Sequence, residues 1–125
     1  MWVTFTCDMG ELEGLGLAAY LSAGRYEEAE ACAYRALAHI HPENQPRTRA
    51  VINARLACAQ LGQTDVDLAV DTAKSIPAGM AAKHPRVVTT LNEFGKALHA
   101  VAPSSPATRD WDEHVHEAQK KAAIA

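Results

Sequence analysis

The stretch Tyr20-Leu-Ser-Ala-Gly24-Arg-Tyr26-Glu-Glu-Ala29 constrains this chain more than any other. Gly24 interrupts two helix-forming runs at the point where a chain must reverse, because glycine alone enters the left-handed conformation at no steric cost. Ala29, one turn into the second run, is small enough to let two helices approach closely. The pattern predicts a tight antiparallel helical pair, a unit that holds a surface in place rather than performing chemistry.

Further along, the same grammar recurs. Asp8 is a candidate N-cap, with Glu11 three residues on, for a helix ending near Ser22. The second helix is predicted from Tyr26 to about His39, with Glu27 and Glu28 in its first turn and Arg35 and His39 near its end, an order that suits the helix dipole. Pro42 and Pro46 close that pair. A third, amphipathic helix is expected from about Pro46 to Leu61, with Val51, Ala54, Cys58 and Leu61 on one face. After a turn at Gly62-Gln-Thr-Asp65, in which Asp65 caps, a fourth helix carries Leu68, Ala69, Ala73 and Ile76 until Pro77 and Gly79 stop it. Val87, Leu91, Phe94, Leu98 and Val101 form the strongest stripe, on a helix from about Pro85 to Ala102. The last helix, from about Ala107 to Ala122, offers only Trp111, Val115 and Ala118 and reads as a polar cap.

A length of 125 residues fits one domain, 1–125, and 48% hydrophobic with 22% charged residues fits a globular chain. Two Trp, three Tyr and two Phe are few, so alanine-rich helix contacts must build most of the core and the expected class is all-α. A formal charge of -3 gives no electrostatic reason to bind a nucleic-acid backbone. Met1-Trp-Val-Thr-Phe lacks a basic leader, and no run nears the roughly 20 apolar residues of a membrane span. A cytoplasmic protein without membrane contact is therefore expected. Cys7, Cys32 and Cys58 lack C-x-x-C spacing and read as reduced, mostly buried thiols.

Superposing the two predicted pairs sets Ala29 on Ala69 and Ala33 on Ala73, an offset of 40. Tyr20, Gly24, Tyr26, Ala29 and Ala36, with Leu56 and Ala57 in the second pair, occupy aromatic, turn and small-residue positions that resemble the tetratricopeptide repeat. The second unit departs from that pattern with Gln60 in the aromatic position and Thr64 where glycine is expected. The arrangement from Trp-Val-Thr-Phe through Gly-Arg-Tyr-Glu-Glu-Ala-Glu also resembles the C-terminal repeats of actinobacterial helix-turn-helix transcriptional regulators. The resemblance implies stacked antiparallel hairpins in a right-handed superhelix with a degenerate capping pair, and a sensing or interaction role. On that reading the chain is part of a regulator, or a stand-alone relative, without the DNA-reading domain that usually precedes such repeats.

Chemistry finds little support. Asp110/His114 and Asp112/His116 are spaced i, i+4, but the two pairs are turned about 200° apart and cannot meet on one ion, so each is expected to be a solvated ion pair. No phosphate loop, G-x-S-x-G elbow or H-E-x-x-H motif occurs, and neither catalysis nor a cofactor or metal is expected. In the repeat architecture the first helix of each pair lines the concave side. That register picks Glu11, Gly14, Ala18, Leu21 and Ser22, then Val51, Ala54, Cys58 and Leu61, with Arg49 and Asn53 as the one polar pair suited to a ligand carboxylate. A protein or peptide is the expected partner. Trp2, Val3 and Phe5, uncovered ahead of the first pair, suggest a homodimer. The rival functions are a small-molecule-sensing domain and a small helical enzyme using His and carboxylate residues.

Overall fold

The computed structural model describes residues 9–40 and 46–124, with side chains over 16–40 and 46–121. These residues are helical and contain no strand: α1 (Met9–Ser22), α2 (Tyr26–His39), α3 (Pro46–Gly62), α4 (Val66–Lys74), α5 (Ala78–Lys83), α6 (Pro85–Val101) and α7 (Pro106–Ile124). Trp2, Val3, Phe5, Cys7, Asp8, His41 and Pro42 lie outside the described residues, as do the side chain of Glu11 and the surroundings of Gly14.

The two expected hairpins form, and their turns are copies of each other. Gly24 N–H donates to the Leu21 carbonyl at 3.1 Å and Arg25 N–H to that of Tyr20 at 2.9 Å. Forty positions on, Thr64 N–H donates to the Leu61 carbonyl at 2.8 Å and Asp65 N–H to that of Gln60 at 3.0 Å. Both are Schellman closures, which need a left-handed residue just past the helix; Gly24 supplies it with φ 74° and Thr64 with φ 65°. The departure noted at Thr64 thus changes the residue and keeps the backbone. Asp65 does stand at the N-cap of α4, but its side chain makes no capping hydrogen bond. One residue here both closes α3 and opens α4, and its ψ of 72° is not the extended conformation from which a cap reaches back.

Ala29, Ala33, Ala69 and Ala73 are all buried where paired helices meet. Tyr26 lies over Gly62, where any Cβ would collide with its ring, so α2 starts directly against the end of α3.

The third helix is not one-sided. Ile52, Leu56 and Ala59 pack with Leu17, Ala29, Cys32, Ala33 and Ala36 of the first pair. On its other side Ala50, Val51, Ala54, Ala57 and Leu61 pack with Ala69, Val70, Val87, Leu91, Phe94 and Leu98. A central helix buries several faces and loses the apolar/polar alternation of a surface helix. Gln60, at the expected aromatic position, is 1% exposed. Its amide donates to the Tyr34 hydroxyl at 3.2 Å and lies 3.5 Å from Glu30, and it accepts the Thr72 hydroxyl at 2.6 Å, tying α2, α3 and α4 together.

The C-terminal part departs from expectation. The fourth helix ends at Lys74, ahead of Ile76, and Pro77 and Gly79, expected to stop it, belong to a further helix, α5, Pro77 as its N-cap and Gly79 inside it. Leu68 and Val101, assigned to core stripes, are 40% and 50% exposed. The last helix is more than a polar cap: Trp111 is 5% exposed, edge-on to Phe94, and Thr108 is buried with its hydroxyl on the Ala102 carbonyl. The expected Asp–His pairs within α7 do not form. Asp110 instead meets Lys74 of α4 at 2.7 Å and Asp112 meets His99 of α6 at 2.9 Å. Long-range partners win because α7 lies across α4 and α5, splayed from α6 rather than zipped to it.

Candidate binding site

Successive pairs set α1, α3 and α6 side by side, and the groove between them encloses about 450 Å³. Ala18, Leu21 and Ser22 come from α1, Arg55, Cys58, Leu61 and Gly62 from α3, and Thr90, Glu93, Ala97 and Val101 from α6, with Tyr26 at one end. The floor is small and apolar. Its charges are Arg55 and Glu93.

Of the sequence-expected contact residues, Ala18, Leu21, Ser22 and Cys58 line this groove together, as does Leu61. Ala54 is fully buried and Val51 nearly so, both turned into the core, so neither offers surface to a partner. Arg49 and Asn53 are partly buried and line neither this groove nor the second cleft described below. The groove face of α3 runs Arg55–Cys58–Leu61–Gly62, one position round from the register read off the sequence, because two cores compete for α3 and turn Ala54 inward. Arg55 was missed, since an arginine on an alanine-rich helix looks like ordinary solvated surface.

Burial, and secondly the nearby charge of Arg86, lower the pKa of Arg55, and no carboxylate pairs with it among the described residues. A guanidinium so placed gains from any anion that enters, since the new charge offsets both the lost water and the repulsion. Burial first, then the Glu93 carboxylate, pushes the Cys58 thiol up to about 11 against a smaller opposing pull from Arg55. At neutral pH Cys58 is therefore an uncharged lining group, and a poor nucleophile.

A second, larger cleft of about 940 Å³ opens in the wedge between α6 and α7, closed at its inner end by Ala73, Ala81 and Ala82. Val88, Leu91, Gly95, Trp111, Val115 and Ala118 form its walls, with Asn92, Lys96, His99, Asp112, His114 and His116 also lining it. The two clefts use opposite flanks of α6: Thr90, Glu93, Ala97 and Val101 on one side, Val88, Asn92, Lys96 and His99 on the other. Among the described residues no three His, Cys, Asp or Glu side chains gather to hold a metal ion, and no helix is long and apolar enough to cross a membrane. His39 turns its Nδ1 to the Arg35 carbonyl at 2.8 Å, a helix-end contact. Comparison with known protein families, characterised proteins and solved structures finds no match to this chain.

Proposed function

We propose that the chain is a non-catalytic, tetratricopeptide-like helical-repeat module, its hairpins stacked as a right-handed superhelix, that holds a peptide segment of a partner protein between α1, α3 and α6. The observation that carries this reading is the groove itself, built from three helices that do not follow one another in sequence and lined by small apolar side chains around Arg55. The two matching turns forty residues apart support a repeat origin for the helices on either side. A peptide with an acidic side chain or free carboxyl terminus, flanked by small apolar residues, matches that lining: the carboxylate meets Arg55 and the apolar residues cover Leu21, Cys58 and Leu61. In the actinobacterial regulators that the sequence resembles, repeats of this kind sense or interact, and the module would serve a regulator in that way.

Selection of random peptides on the purified chain tests this. Enriched peptides are expected to carry a carboxylate beside small apolar residues. Leu21→Glu should abolish their binding and Arg55→Ala should weaken it about tenfold or more. Substitutions at His114 and His116 should leave it intact, with melting curves checking that each variant folds. Peptides that bind wild type, Leu21→Glu and Arg55→Ala equally well would sink the proposal.

A further inference from the structure

The wedge between α6 and α7 has its own chemistry, distinct from the groove. Its volume of about 940 Å³ lies in the range of small-molecule sites, which runs to roughly 1,000 Å³. Trp111 and His114 stack with ring centroids 5.6 Å apart and planes 27° from parallel, giving one wall a flat aromatic character, while Val88, Leu91 and Val115 make the rest apolar. A ring system is the shape that such walls cover best.

The polar groups are unbalanced in charge. Asp112 is the one carboxylate among the lining residues, and it is already engaged by His99 at 2.9 Å. Lys96 makes no ion pair among the described residues, and the Trp111 indole N–H, which can only donate, makes no hydrogen bond among them. Asn92 adds an amide one turn from Lys96. Asn92 and Gln119 can both donate and accept, so the bias lies in charge: the Lys96 ammonium is the one lining charge without a counter-charge, beside apolar walls, and it favours a ligand that brings a negative charge.

We infer that the wedge is a binding site for a small planar organic anion, an aromatic carboxylate whose ring lies against the Trp111–His114 pair and whose charge faces Lys96. The ring replaces water over the partly exposed His114, Val88 and Val115. The carboxylate takes a charge-assisted bond from the Lys96 ammonium.

Titration with 2-naphthoate tests this, with naphthalene-2-carboxamide as the uncharged control. The readout is the indole N–H resonance of Trp111, assigned by its loss in Trp111→Phe, with that of Trp2 as internal reference. We expect saturable one-to-one binding that shifts the Trp111 resonance, and the carboxamide to bind about tenfold or more weakly. Lys96→Glu, an exposed substitution, should weaken 2-naphthoate by a similar factor, and Ala118→Phe, which fills the cleft from its wall, should block it. If Ala118→Phe fails to fold, Asn92→Asp on the exposed rim takes its place and should weaken binding. Equal affinity for the acid and the amide overturns the inference, as does indifference to Lys96→Glu. Loss of binding in Leu21→Glu instead would put the ligand in the peptide groove and overturn it equally.

Discussion

Thr64 is the residue where backbone and side chain disagree most plainly. A β-branched residue at φ 65° carries a steric cost that glycine at the matching position does not. We expect Thr64→Gly to stabilise the fold by about 1 kcal/mol, less the entropy glycine adds to the unfolded chain, and so to raise the melting temperature by a few degrees. Gly24→Val should lower it by a comparable amount. The space around a Gly24 Cβ is open, so that loss can come only from the backbone, and Gly24→Asn, which tolerates the left-handed region, should be milder. Cys58 gives a pH dependence of known sign. Its pKa rises from 9.0 unfolded to about 11 folded, so the fold favours the thiol over the thiolate. The stabilisation is full below pH 9 and is lost as pH climbs through about 11. Alkylation by iodoacetamide, followed on the Cys58 peptide, should be slow at pH 8 and accelerate only as pH approaches 11. Acceleration centred near pH 8 would show an exposed, ordinary thiol.

At the scale of elements, what could be read in advance depended on how local its cause is. Each hairpin is written in a few adjacent residues, Gly24 before Tyr26 and Ala29, or Gly62 and Asp65 before Ala69, and α1 to α4 fall where such signals place them. The face that α3 presents is decided by the helices on either side of it, and so Ala54, expected in the groove, is in the core while Arg55 lines the groove instead. The position of α7 depends on Trp111 finding Phe94 and on Asp110 finding Lys74 thirty-six residues away, which no window of sequence contains. Gln60 is a similar case, a polar residue buried because α2 and α4 both offer partners. Its network makes an asymmetric forecast. Thr72→Val leaves the buried Gln60 Oε1 without its donor and should cost about 1–3 kcal/mol in chemical denaturation. Gln60→Leu should cost less, because Tyr34 and Glu30 can turn to water and Thr72 keeps the Leu68 carbonyl at 3.0 Å. The double variant should then recover much of the Thr72→Val loss. Additive losses would mean that the two side chains act independently.

For the molecule as a whole, α6 is the element to watch. It fills the core with Val87, Leu91, Phe94 and Leu98 and also gives one flank to each cleft, so α6 alone stands between the two. A small roll of this helix about its axis would narrow one space as it widened the other. If both proposed ligands bind, linkage makes their coupling reciprocal: whatever factor a carboxylate beside Lys96 imposes on peptide affinity, the peptide must impose on the carboxylate. Calorimetric titration of each ligand with the other absent and then saturating should return one number from both directions. A factor of one, within error, would mean that α6 stands as a rigid partition, while a factor well above or below one would make the chain a relay in which a metabolite's concentration is read out as the grip on a partner.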